Sequence, residues 1–313
     1  MKRLLVLVTG GTAGIGRVIA EMLATRHVSV IVTGRNQERG TRFMTESQER
    51  GLDIRFMQAD FSDQASTLEF AQKIRELENG LDVLINNVGG VWNHRTFTKD
   101  GIEKTIAVNH IHPFLLSEAL FTHLARRKGK IIHLNTGYHL MVRVKKADWN
   151  QQRWDSGMNV YGRSKLISVL AGWALCERWA EQGVVVQFAD PGMAWTPLTS
   201  TMGRDFFPWY GQFMIPAIRI LQKQMPLKWA AWPAVSLALD RNERRPGLYA
   251  IPGGLRLPMH LRPSERYLGA FFLGLTHERW LSEESREIIH NWSHEDGNFN
   301  TQAQSHKILP RVT

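Results

Sequence analysis

Cysteine is nearly absent: Cys176 stands alone in the chain, which excludes an intrachain disulfide framework and fits a reducing compartment such as the cytoplasm. Long apolar runs are missing too. The longest, such as Leu268 to Leu275, fall far short of the roughly 20 residues a helix needs to span a bilayer, and peripheral attachment stays open. Met1-Lys2-Arg3 and the short Leu-Leu-Val-Leu-Val run after it lead into a glycine turn rather than a small-residue cleavage site, which argues against a secretory signal. There is no internal repeat and no low-complexity linker. His110 and His112 have no carboxylate or cysteine at metal-ligand spacing, so no metal site is expected. The net charge of +10 invites nucleic acid, but Arg126-Arg127-Lys128, Lys145-Lys146 and Arg241 to Arg245 are scattered in the sequence and form no basic stripe. Nucleic-acid binding is therefore not expected.

With 43% hydrophobic residues over 313 positions, the chain can bury a substantial core, and alternating strand and helix patterns argue one α/β unit. Residues 3–8 form a β-branched run that breaks into Thr9-Gly10-Gly11-Thr12-Ala13-Gly14-Ile15-Gly16, and a helical pattern follows with Val18, Ile19, Met22 and Leu23 on one side. Strand, glycine turn and helix in that order bring backbone amides close to a pyrophosphate. Gly10, Thr12, Gly14, Ile15 and Gly16 are therefore candidate cofactor contacts. A second strand over 28–33 ends in Gly34-Arg35 with no acidic residue before it. An arginine at this strand end suits a ribose 2′-phosphate, which points to NADP(H) over NAD(H). A third strand, 53–58, ends at Asp60, and a fourth, 81–85, ends at Asn86-Asn87-Val88-Gly89. These polar groups stand just past carboxyl ends of strands, where open α/β sheets bind ligands.

Downstream lies Tyr161-Gly162-Arg163-Ser164-Lys165. On a helix the Tyr and Lys share one face, about a turn apart, and the ammonium favours the phenolate. Bringing a phenol from about 10 to neutrality takes about 4 kcal/mol, at about 1.4 kcal/mol per unit. A lysine and a cationic nicotinamide ring together can supply that.

Taken in order, Thr9-Gly10-x-x-x-Gly14-x-Gly16, Asp60, Asn86-Asn87-x-Gly89, Asn109, Tyr161-x-x-x-Lys165 and Pro191-Gly192 closely resemble the short-chain dehydrogenase/reductase family over residues 1 to 255. The wording around Val108-Asn109-His110 is most similar to the retinol-dehydrogenase-like branch. The resemblance implies a single Rossmann-type doubly wound domain with a seven-stranded parallel sheet. It also implies hydride transfer to or from a carbonyl carbon. Tyr161 would be the acid/base, Lys165 would hold the nicotinamide ribose, and Asn109 would order a relay water. Asp60 would meet the adenine, Asn87 and Gly89 would line the ribose side, and Pro191, Gly192 and Thr196 would wrap the nicotinamide. The chain departs from the family at the usual catalytic Ser, where Asn135-Thr136 stands. Thr136 keeps a donating hydroxyl; Tyr138 and His139 are the alternative donors.

The expected organisation is a catalytic domain over 1–292, with a substrate loop at about 193–232, and a polar tail over 293–313. The chain has eleven tryptophans, and several fall with Phe and Met in 206–232, where they could line a pocket for a bulky hydrophobic substrate, touch a membrane or form core. The leading reading is an NADP(H)-dependent alcohol dehydrogenase or ketoreductase. The competing ones are a catalytically weak NADP-binding sensor or assembly protein and an epimerase or dehydratase with retained cofactor. Homo-oligomerisation is left open. Cys176 and His133 are expected to be packing residues.

Overall fold

Burial along the inner strands is continuous rather than alternating, as befits a parallel sheet covered on both faces. In the computed structural model, which describes residues 3–77, 80–142 and 156–257, the strands are β1 (Leu5–Val8), β2 (Ser29–Gly34), β3 (Ile54–Gln58), β4 (Val83–Asn86), β5 (Lys130–Leu134), β6 (Val185–Ala189), β7 (Tyr249–Ala250) and β8 (Arg256–Leu257). They form one sheet in the order β3-β2-β1-β4-β5-β6-β7-β8. Strands β1 to β7 pair in parallel and make the seven-stranded sheet that the family resemblance implies, while the two-residue β8 adds an antiparallel edge that no sequence pattern marked. Its register, Tyr249 with Leu257, is set by a tight return.

The helices are α1 (Gly14–Ala24), α2 (Gln37–Glu49), α3 (Gln64–Arg75), α4 (Lys104–Ile106), α5 (His112–Ala119), α6 (Phe121–Ala125), α7 (Gly157–Trp179), α8 (Pro197–Ser200), α9 (Ile215–Gln224) and α10 (Leu227–Leu239). Successive strand residues point to opposite faces, and two cores result. Leu7, Ile31 and Leu84 pack under α3, α5 and α7 with Phe70, Phe114 and Val169. Val6, Val8, Val30 and Val32 pack under α1, α2 and α10 with Ile19, Leu23, Phe43 and Val235. The chain departs from β1 toward β2 and later returns to β4 on its other side. That reversal opens the crevice at the carboxyl ends of β1 and β4 where ligands bind in such sheets.

The helix boundaries have local causes. Asn36 and Asp63 cap α2 and α3 by accepting from the Arg39 and Ser66 amides, satisfying amides that the helices themselves leave unpaired. The polar tail, Lys145-Lys146 and the Leu268 to Leu275 run lie outside the described residues.

Candidate active site

The glycine turn is built by hydrogen bonds from the end of β4. Thr9 Oγ1 accepts from the Asn87 and Val88 amides at 3.0 and 3.1 Å, and Asn87 Nδ2 donates to the carbonyls of Thr9 (2.7 Å) and Gly10 (3.2 Å). Asn87 therefore braces the turn itself. Gly14 has φ of +54°, which side chains disfavour. A Cβ on Gly16 would lie 2.4 Å from Asn87 Nδ2 and 2.5 Å from the Gly10 carbonyl. Helix α1 begins immediately, with no side chain capping it and no acid in its first turn. Its free amides and positive dipole end are left for an anion, which fits the pyrophosphate of a dinucleotide. Ile15 is half-buried there. Across the crevice, Pro197 Cδ and Thr196 Cβ lie 3.5 and 3.9 Å from where a Cβ on Gly14 would sit, so the segment after β6 faces the turn.

At the other end of the crevice Thr12 is buried against the end of β2, its Oγ1 2.5 Å from a Cβ placed on Gly34. Arg35 follows, exposed, with its carbonyl held by Gln58 Nε2 at 2.9 Å. Asp60 is exposed past β3 and accepts from the Ser62 amide at 3.0 Å. One basic and one acidic side chain thus stand at adjacent strand ends.

Helix α7 carries the chemistry-bearing pair. Ser156 caps it by accepting from the Asn159 amide, and the residues that follow place Tyr161 and Lys165 one turn apart. Lys165 is buried; its Nζ donates to the Leu134 carbonyl at 2.8 Å and lies 5.9 Å from the centroid of the Tyr161 ring. Burial lowers the lysine to about 8, with Asp190 pulling it back upward. The Tyr161 hydroxyl is raised above its ordinary value, first by burial and then by the Asp190 carboxylate. In this arrangement burial and the carboxylate act together, and the phenol is held protonated.

Asn109 sits at the centre of a π-helical turn, Ala107–Ile111, inserted between α4 and α5. Such turns widen a helix and commonly mark functional positions. Its Oδ1 accepts from the Gly90 amide at 2.7 Å, while Nδ2 donates to the Gly90 carbonyl (2.9 Å) and Ser164 Oγ (3.1 Å). A Cβ on Gly89 would lie 3.2 Å from Asn109 Oδ1 and 3.8 Å from Lys165 Nζ, so β4, the π turn and α7 converge at this point.

Thr136 follows β5. Its Oγ1 accepts from the Tyr138 amide at 3.3 Å, leaving the hydroxyl hydrogen to donate. Asn135 orients it, accepting from the Thr136 amide at 2.7 Å while donating to the Lys165 carbonyl at 3.1 Å. The alternative donors are committed elsewhere: Tyr138 donates to Asn159 Oδ1 at 2.9 Å, and His139 Nδ1 pairs with the Thr136 carbonyl.

The sequence reading missed Asp190. It is buried at the end of β6, where its Oδ1 accepts from the Gly192 amide at 2.7 Å and its Oδ2 from the Tyr249 hydroxyl at 3.3 Å. Its position just before Pro191-Gly192, at a strand's carboxyl end, was the available signal. Pro191 is half-buried, Gly192 has φ of +66°, and Thr196 caps α8 through reciprocal bonds with Thr199. Cys176 is buried in α7 with its thiol pushed up to about 12, which makes it inert packing. His133 lies inside β5, held down at about 3 by burial. Among the described residues no group of three or more His, Cys, Asp or Glu could hold a metal.

The short chain dehydrogenase family profile matches residues 4–205. The chain belongs to the short-chain dehydrogenase/reductase family. Within it the chain falls with the retinol-dehydrogenase-like branch: it is 32% identical to retinol dehydrogenase 13 of Homo sapiens over 238 residues, covering 75% of this chain and 71% of that protein. It is 29% identical to polyprenol dehydrogenase of Homo sapiens over 196 residues, covering 60% of this chain and 59% of that protein. The chain thus spans between 59% and 71% of the length of these relatives. A short-chain dehydrogenase from Sphingobium yanoikuyae, solved in complex with NADPH, has the same fold with a TM-score of 0.60 at 20% identity, over 98% of this chain and all of that one. As a member of this family the chain has a nicotinamide-cofactor fold, and among the described residues no helix is long and apolar enough to cross a membrane.

Proposed function

We propose that the protein is an NADP(H)-dependent oxidoreductase that interconverts an alcohol and a ketone or aldehyde on a bulky hydrophobic substrate. The observation that carries this reading is the setting of Tyr161, whose ring packs with Val91, Met158, Met202 and Ile218 against the buried cluster of Phe206, Phe207 and Ile215. A proton-bearing hydroxyl beside an apolar wall suits a carbonyl attached to an apolar body. The bound nicotinamide cofactor supplies or accepts the hydride. Gly10, Thr12, Gly14, Ile15 and Gly16 hold its pyrophosphate end, and Asp60, Asn87, Gly89, Pro191, Gly192 and Thr196 enclose the rest. In reduction Tyr161 gives the proton from its hydroxyl to the substrate oxygen, Thr136 donates a hydrogen bond to that oxygen, and Lys165 with Asn109 orders the path along which a proton returns to the Tyr161 oxygen.

A panel of hydrophobic aldehydes, ketones and alcohols assayed by nicotinamide absorbance tests the reading. Tyr161→Phe should leave cofactor binding and fold intact while lowering turnover at least about 100-fold, the scale of general acid catalysis. A chain that binds NADPH yet turns over none of the panel would favour a sensor. Cofactor choice rests on Arg35. A guanidinium paired with a 2′-phosphate contributes about 1.5 to 3 kcal/mol, or about a 10- to 100-fold preference for NADPH. Arg35→Ala should weaken NADPH while sparing NADH, as read by titrating both cofactors into both proteins; equal binding of the two by the unchanged chain would overturn the assignment.

A further inference from the structure

The segment between Asp205 and Asp240 has no acidic residue; its charges are Arg219, Lys223 and Lys228. Its middle part is a 3-10 turn, Trp209–Met214, that runs straight into α9. The helix is anchored by one side only. Ile215 and Gln222 are buried, and Ile218 packs into the cluster around Tyr161, so positions 215, 218 and 222 form the inward stripe. Facing outward are Trp209, 83% exposed, and Phe213, 78% exposed, with Met214, Ile220 and Leu221 each at least half exposed. Large apolar side chains in this density are not ordinary surface.

The cations flank this outward side. Arg219 and Lys223 stand four residues apart along one edge of α9, where the helix meets the body: Arg219 donates to the Met202 carbonyl at 3.3 Å, and Lys223 Nζ lies 5.3 Å from the Trp195 ring. Projecting aromatics with cations set back at the rim form the pattern of a helix lying in a membrane interface, rings at the acyl boundary and ammonium or guanidinium groups at headgroup level. We propose that the Trp209–Gln224 face docks the protein on an anionic lipid surface. Charge complementarity selects this occupant, because a stretch of 34 residues (206–239) without one carboxylate matches a negatively charged leaflet. The inward stripe of the same helix packs beside Tyr161, so docking brings the bilayer next to the proposed substrate wall. The inference about docking does not depend on which substrate is turned over.

Flotation of the full chain with vesicles of phosphatidylcholine, with and without phosphatidylserine, decides the matter. The unchanged chain should float with the phosphatidylserine vesicles, bind plain phosphatidylcholine more weakly, and release as salt is raised. Reversing both cations, Arg219→Glu with Lys223→Glu, should lower partitioning at least about 20-fold, the expected effect of removing two basic charges from an anionic surface. Trp209→Ser with Phe213→Ser should abolish flotation. Circular dichroism establishes that each variant is folded, and if the serine pair fails to fold, the charge-reversed pair alone decides. Absence of flotation at low salt overturns the proposal, as does equal partitioning of the charge-reversed chain. A lipid-free dimer in sedimentation velocity that the serine pair converts to monomer also overturns it, since a second copy would then cover the face.

Discussion

Asp190 closes β6 where the crevice narrows onto Lys165 and Tyr161, and its carboxylate acts on both. It raises the lysine against the lowering caused by burial, and it raises the phenol further in the direction burial already pushes. Asp190→Asn keeps an oxygen to accept from the Gly192 amide but removes the charge. Lys165 and Tyr161 should then both titrate at lower values. The prediction is that both limbs of the kcat/KM profile move to lower pH, with far-UV circular dichroism unchanged. A profile that stays in place would show that the charge does not reach the pair. Thr136 is read at the same scale. The Asn135 side chain that accepts from its amide also ties it to the lysine's own backbone, so the substituted hydroxyl and the ammonium are held in one frame.

The join between β5 and α10 depends on one side chain at the scale of elements. Lys130 begins β5, is almost wholly buried, and donates from Nζ to the carbonyls of Leu237 (3.0 Å), Asp240 (2.5 Å) and Glu243 (2.7 Å). It thus satisfies the end of α10 and the loop after it, acceptors that a helix terminus otherwise leaves unpaired. Burial lowers Lys130 to about 8, yet three carbonyls in place of water keep it charged at neutral pH. Lys130→Met fills similar volume while leaving those acceptors without a donor, and should cost about 3 kcal/mol in urea unfolding. A loss below about 0.5 kcal/mol, the range of a neutral surface change, would mean that water replaces the ammonium freely. Nothing local to Lys130 announces this role, because its partners are more than 100 residues away in sequence.

Across the whole molecule, burial sets the sign of the pH dependence. His110, His112, His123, His133 and His139 are all lowered by desolvation, His110 and His133 to about 3. Unfolded, each returns to about 6.5. Between those values the unfolded chain binds protons that the native chain does not, so stability falls as pH is lowered through the window. Glu103, Glu118 and Asp190, raised by burial, act the other way. Lys130 and Lys165, both near 8, extend the same slope upward, since between 8 and their ordinary value near 10.4 the unfolded chain again holds more protons. The expected result is a urea midpoint lower at about pH 5 than at about pH 7.5, by several kcal/mol in free energy. An unchanged midpoint would show that the buried histidines do not set the slope.

The sequence by itself determined the alternation of strand and helix, the glycine turn, the strand-end polar groups and the Tyr161–Lys165 pair. These are local: periodicity, turn chemistry and a four-residue spacing on one helix need no distant partner to be read. Strand ends shifted by a residue or two, with β2 at Ser29–Gly34 rather than 28–33, because the ladder and not the apolar run decides where pairing stops. Tertiary structure alone decided the rest. It turned Asn87 onto the glycine turn, put Asn109 in a π turn facing Gly90, brought Asp190 to the lysine, and added β8 as an antiparallel edge. It also divided the aromatics of 206–232, sending Phe206 and Phe207 inward against Tyr161 and leaving Trp209 and Phe213 in solvent. Composition is the same for both groups. Which side of a short helix meets the body is settled only when the body is there to meet it.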